Sequence, residues 1–363
     1  MFPYIRHFLG PSTKHLILNL NQASLINLSI ILSLPHDYPG ITHLDLQQSS
    51  DMGYGTISDA VCQWNELRSF TWQDQELIYP ALLLHLANLP NLQDISVLLP
   101  DQSHLSSFYQ LGFRALRNAE FRCNNISSCT SLMDVTSSQC PIERMTVRID
   151  QRPDTMSLRS FFQTLNARCS QKTLSEISII CSNRYHRLTP DQNIIDEETI
   201  QPLLAFRNMR HVTINIPRPF SLGNKTMRDI TTSWTQLRSL AIGGPGGWGG
   251  HSRITLTGLI SLLSLSKLDR LRIVIDASSV NHTLNMPKTG VPNTKLSILQ
   301  LGDSVIHDAP SVAACLSYVL PNVRVIHSWG DSVANVAAIS VQDAQKYQSR
   351  WKEVASLIEA AAK

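Results

Sequence analysis

The chain is poor in charge and lacks most of the marks of a chemical site. Only 16% of its 363 residues are Asp, Glu, Lys or Arg, and the net charge is +3. Its cations are scattered, which leaves no electrostatic footprint for nucleic acid or for an anionic membrane. The seven cysteines (Cys62, Cys123, Cys129, Cys140, Cys169, Cys181 and Cys315) form no C-x-x-C, and their number is odd. That argues against a disulfide framework or a structural zinc site, and for reduced, buried thiols in a cytoplasmic or nuclear protein. The twelve histidines show neither H-x-x-x-H nor H-E-x-x-H spacing, so a zinc hydrolase has no support. No stretch approaches the roughly 18 unbroken apolar residues of a membrane span. The N-terminus lacks an apolar run followed by a small-residue cleavage site. Four N-x-[ST] triplets, at Asn27, Asn125, Asn224 and Asn281, are accordingly expected to be unused.

What the chain does have is a repeat. Apolar residues recur at relative positions 1, 4 and 6 in "ITHLDL" from Ile41, "LRSFTW" from Leu67, "LQDISV" from Leu92, "LRNAEF" from Leu116 and "IERMTV" from Ile142. The series continues with "LSEISI" from Leu174, "MRHVTI" from Met209, "LRSLAI" from Leu237, "LDRLRI" from Leu268, "LSILQL" from Leu296 and "VRVIHS" from Val323. "TKHLIL" at Thr13 is a degenerate first member. A period near 28 with L-x-x-L-x-L at each step is the signature of leucine-rich repeats. Positions 4 and 6 alternate with 3 and 5 as the two faces of a strand require. Helix-like segments such as "YPALLLHLANL", "SLRSFFQTLNARC", "IDEETIQPLLAF" and "TLTGLISLLSL" lie between the hexamers.

Strand, crossover helix and next parallel strand make a right-handed coil. The expected fold is therefore an α/β right-handed leucine-rich-repeat solenoid, a horseshoe with parallel concave-side strands and outer helices. It runs over residues 1–340 in about 11–12 irregular units, the longer intervals holding insertions such as "NRYHRLTPDQN". Residues 341–363 are expected to form a C-terminal capping helix. Ala344, Tyr347, Trp351, Val354 and Ile358 make one apolar stripe along it, suited to a lid on the last repeat.

This array resembles the repeat region of fungal F-box/leucine-rich-repeat proteins. The resemblance rests on the irregular unit length, the "LRSL" and "LxxLPNL" phrases and the terminal "YQSRWKEV". It implies a non-catalytic protein-binding module in which the repeats hold the substrate of a cullin ubiquitin ligase. In that family an F-box, a short helical module, docks on the ligase adaptor. Repeat-like sequence begins here by Thr13 with no separate helical module before it. A cullin-ligase adaptor is thus a partner where an F-box is supplied elsewhere, and a free-standing scaffold is the alternative.

Two motifs invite an enzymatic reading. Gly244, Gly246 and Gly249 in "GGPGGWGG" fit G-x-G-x-x-G after an apolar run and before a helix, as in a dinucleotide site. Yet Asp276, the acid that such a site needs, lies 27 residues past Gly249, at a repeat position that is Asn124, Asp150 and Asp331 in other units. No G-K-[ST] follows, and Pro245 removes an amide donor. The 243–250 run is therefore expected to be a long, mobile rim loop carrying Trp248, either folded back over the repeat edge or exposed as a contact. "GDSV" occurs at Gly302–Val305 and Gly330–Val333, one repeat apart. A motif that recurs with the repeat is turn chemistry rather than a catalytic serine. No catalytic, cofactor-binding or metal residue is assigned.

The concave face, positions 3, 5 and 7 of each strand, is where a protein ligand is expected to bind. Its candidate contacts are Arg122, Arg144, Arg148, His211, Arg270, Arg272, His327 and Trp329, with Trp248 on the rim loop. Arg122, Arg144 and Arg148 lie on adjacent strands roughly 5 Å apart, close enough to share one acidic ligand.

Overall fold

The computed structural model describes residues 4–20, 25–47, 54–73, 77–105, 112–182, 193–244, 246–249, 252–279, 292–330 and 339–361. The chain divides into two compact units, one of residues 1–150 with 167–173, the other of residues 151–166 with 174–363.

Six parallel strands in chain order make the sheet of the first unit: His15–Asn19, His43–Gln47, Ser69–Gln73, Asp94–Leu98, Asn118–Cys123 and Arg144–Ile149. Their register matches hexamer to hexamer, with His15 opposite His43, Ser69 opposite Asp94, and Asn118 opposite Arg144. Hexamer position 2 provides the lock between successive repeats. The Lys14 carbonyl accepts from both Thr42 N and His43 N, the Thr42 carbonyl from Arg68 N and Ser69 N, and so on along the sheet. "TKHLIL" is thus a full member, despite its weak pattern.

The second unit repeats the plan with Glu176–Cys181, His211–Asn215, Ser239–Ile242, Arg270–Arg272, Ile298–Gly302 and Val325–Ser328. Between its main strands run two additional two-strand ladders, Ile195–Asp196 with Phe220–Ser221 and Asp276–Ala277 with Val305–Ile306. Residues 183–192, most of the expected insertion, lie outside the described residues.

In both units burial alternates along the strands, as in Asn118–Cys123 and Glu176–Cys181. Positions 4 and 6 go inward, among them Ala119, Phe121, Ile177, Ile179, Val212 and Ile214. Each such Val, Ile or Phe contributes about 1.5–3 kcal/mol on leaving water. Helices cover that side: Pro80–Asn88 buries Leu82, Leu83 and Leu86, and Leu256–Leu263 buries Leu259, Leu262 and Leu263. "IDEETIQPLLAF" breaks into a helix over Glu197–Ile200 and a 3-10 turn over Gln201–Ala205, where Pro202 removes an amide donor. Parallel strands joined through helices, with one face buried and one open, define the α/β leucine-rich-repeat solenoid fold.

Helix Val341–Ala361 buries Ala344, Trp351, Val354 and Ile358, four of the five stripe residues. Trp351 Nε1 donates to the Ser304 carbonyl at 3.0 Å and Arg350 to the Ile306 carbonyl at 2.8 Å, which seats this helix on the last strands.

Candidate functional site

The open strand face collects the outward positions, and the two units fill it differently. In the first unit the three arginines are engaged with neighbours. Arg144 Nε donates to Asn118 Oδ1 at 2.7 Å, and Asn118 in turn donates to Asp94. Arg148 Nε donates to Glu120 Oε1 at 2.7 Å, while Arg122 reaches back to the Trp72 carbonyl at 2.8 Å. Arg122 stands directly opposite Arg148, so the expected proximity is there, with Glu120 already bonded to one of the pair. A groove of about 340 Å³ here includes Asp94, Ser96, Asn118, Glu120, Arg144 and Thr146 in its lining. Further along the same sheet His15 and His43 stack with ring centroids 4.0 Å apart. Burial and the charge of His15 hold His43 below the ordinary histidine value.

In the second unit Arg270 and Arg272 flank the buried Leu271 on one strand. Arg272 Nε donates to the neutral amide oxygen of Gln300 at 2.6 Å. The side chain of Arg270 is 72% exposed and lies 3.3 Å from Asp269. A groove of about 300 Å³ there is lined by Thr213, Ser239, Arg270, Arg272, Ile298 and Gln300 among others. His211 is 3.9 Å from Glu176, and His327 is exposed at the last strand.

Two of the candidate contacts are not surface residues. Trp329 is 4% exposed, with a left-handed φ of 48°, and its Nε1 donates to the Ser304 carbonyl at 2.6 Å. It is a structural residue because that carbonyl also anchors Trp351. Trp248 is fully buried, packs on Phe220 and donates from Nε1 to the Ile242 carbonyl at 2.9 Å. Of the two positions open to it, the folded-back one is realised.

The described residues of the glycine run also correct the expectation of a loose loop. Strand pairing shifts register between Gln300 and Gly302, and Gly302 takes a φ of 52°. The next residue, Asp303, is buried and accepts from Trp248 N at 2.8 Å and from Gly249 N at 2.7 Å. Successive amides converging on one anion make the kind of nest that would hold a phosphate, and here the anion is internal. Gly247 has a φ of 86°, and a Cβ there would collide with the Asp303 carboxylate. Glycine at this point serves the approach of Asp303, not of a pyrophosphate. Asp276 accepts from Ser278 N at 2.8 Å, a turn role consistent with its repeat position. Of the second "GDSV", Gly330–Val333, all but Gly330 lies outside the described residues.

All seven cysteines are free thiols, five of them buried. Burial pushes Cys140 up to about 12 and raises Cys129 and Cys169 as well. Asp196 caps the helix start at "IDEET", accepting from Thr199 N at 2.9 Å and from Arg159. The carboxylate there is thus a helix cap braced by an arginine. Among the described residues no three or more His, Cys, Asp or Glu side chains are grouped to hold a metal, and no helix is long and apolar enough to cross a membrane.

No family model and no curated protein matches the chain. Among solved structures it is similar to that of the Rad7–Elc1 complex in yeast, at 14% identity over 94% of this chain and 82% of that one, TM-score 0.33. It is also similar to a structure of the Toll–Spatzle complex of Drosophila, at 14% identity over 89% of this chain and 39% of that one, TM-score 0.43. A leucine-rich-repeat protein of Leptospira interrogans matches at 12% identity over 94% and 95%, TM-score 0.36.

Proposed function

We propose that this chain is a non-catalytic protein-interaction module that holds a protein ligand on its open strand face. One observation carries the reading. In each unit the outward strand positions form a polar, arginine-bearing face that the fold does not bury, and arginine is among the residues enriched at binding hot spots. The glycine run, the best enzymatic candidate, has the amides of Trp248 and Gly249 on Asp303.

The more specific form of the proposal is substrate recognition of the kind that F-box/leucine-rich-repeat subunits perform for cullin ubiquitin ligases. Its support is the resemblance carried by the "LRSL", "LxxLPNL" and "YQSRWKEV" phrases. Affinity purification with and without charge reversals on the strand face tests both levels. Cullin-adaptor components among the captured proteins uphold the ligase form, and a face-dependent protein ligand without them leaves a free-standing scaffold. Capture that no strand-face reversal alters contradicts the module itself.

A further inference from the structure

We infer that the open strand face of the second unit carries a site for an extended peptide with anionic side chains at alternate positions, read by Arg270 and Arg272. This deepens the proposed function and rests on it.

The two arginines are two residues apart on one strand, with buried Leu271 between them. They therefore project from the same face, roughly 6.6 Å apart along the strand. An extended peptide laid along that strand has the same repeat: its side chains i and i+2 share a side at the same spacing. Acids at i and i+1 point to opposite sides, and one of them misses. The spacing of the two cations thus selects both the direction of the ligand and the pattern of its charges.

The surroundings suit that occupant. Gln300 accepts from Arg272 Nε at 2.6 Å and orients the guanidinium on this face. Arg270 meets Asp269 in an exposed pair at 3.3 Å, a weak contact that a bidentate anion displaces readily. Among the described residues lining this groove none is acidic, whereas the groove of the first unit contains Asp94 and Glu120. Ser239 and Ile298 sit opposite Arg270 on the flanking strands. Ile298 is 44% exposed and offers an apolar contact beside the first anion. The described lining has no aromatic platform on which nucleic-acid bases would stack, so a peptide is favoured over a polynucleotide.

The test is fluorescence anisotropy on the full chain with labelled nonapeptides that each carry two acidic side chains. Two isomers of equal charge have a pair of glutamates at alternate or at adjacent positions, and a third peptide has a pair of phosphoserines at alternate positions. Oligothymidylate is the fourth probe. The alternate peptides are expected to bind about tenfold more tightly than the adjacent isomer, and the tighter of the two distinguishes carboxylate from phosphate. Arg270→Glu with Arg272→Glu should abolish this preference, while Arg144→Glu with Arg148→Glu should change affinity less than about twofold. The milder Arg270→Gln and Arg272→Gln variants, checked by thermal melting, cover the case in which charge reversal unfolds the unit. Equal affinity for the isomers, tighter binding of oligothymidylate, or loss through the Arg144 and Arg148 pair alone would overturn the inference. If capture of the co-purifying protein responds to the first-unit reversals alone, this inference fails and the proposed function stands. If capture responds to neither pair, both fail.

Discussion

The two units share one repeat and distribute their polar groups in opposite ways. In the first, polar pairing lies on the open face, where Asp94, Asn118 and Arg144 form a relay and Glu120 meets Arg148. The buried polar residues described there are the hydroxyls Ser58, Ser128 and Thr136. In the second, charge and amide groups go inside: Arg218 donates to the Pro153 carbonyl, Asn293 to Leu265 and Leu268, and Asp303 takes two loop amides. Its face carries Arg272, bonded to the amide of Gln300, and Arg270, in an exposed pair with Asp269. A side chain that completes the fold is not available to a ligand. An arginine count along the face therefore misleads, because what matters is which arginines the fold already uses.

The sharpest way to break this comparison is through the interior of the second unit. Trp351→Ala should cost about 3–5 kcal/mol in denaturant unfolding, since a fully buried indole and its bond to Ser304 go together. A cost near zero would mean that the terminal helix does not brace this unit.

Asp303→Ala comes next, at about 3 kcal/mol, because two buried amides lose a charged acceptor. The emission of Trp248 should shift to the red as the loop opens, and Asp303→Asn should recover part of the loss. Unchanged emission would show that the loop holds without its internal anion.

The thiols of the first unit give a smaller, pH-dependent effect. The folded state holds the Cys140 proton up to about 12, against an ordinary value of 9.0. The unfolded chain releases protons first, so this stability is complete below pH 9 and declines as pH rises toward 12. The loss is about 1 kcal/mol by pH 10. Cys140→Ala should flatten that part of the profile, and an unaltered profile would place the alkaline loss elsewhere. Smallest is Arg148→Ala, which removes a pair whose side chains are 46% and 39% exposed and should cost less than about 1 kcal/mol.

Much of this fold was legible in the sequence. The 1-4-6 spacing specifies which side of each strand is buried, and Val212 and Ile214 lie inside as "MRHVTI" requires. It marked the face positions of Arg144 and Arg270 for the same reason. It did not reveal what those side chains touch, because the Asp94–Asn118–Arg144 relay depends on the register of units 24 to 26 residues apart. Trp329 was misassigned because it follows the strand at an outward position but takes a left-handed turn that carries it inside. The role of Asp303 was hidden by distance: it is 54 and 55 residues from the amides that it binds. "GDSV" signalled a turn there, and nothing local distinguishes an aspartate that ends a strand from one that also pins a remote loop.

The most direct test of the central claim is site-specific photocross-linking to the captured protein. A cross-linking amino acid is placed at Ser96 or Thr213, in the strand-face grooves of the two units, or at exposed Arg228 on the helix Asn224–Ser233. The account predicts strong transfer from Thr213, weaker transfer from Ser96 and background from Arg228. Transfer from Arg228 with none from either strand-face position would place the ligand on the helices and contradict it.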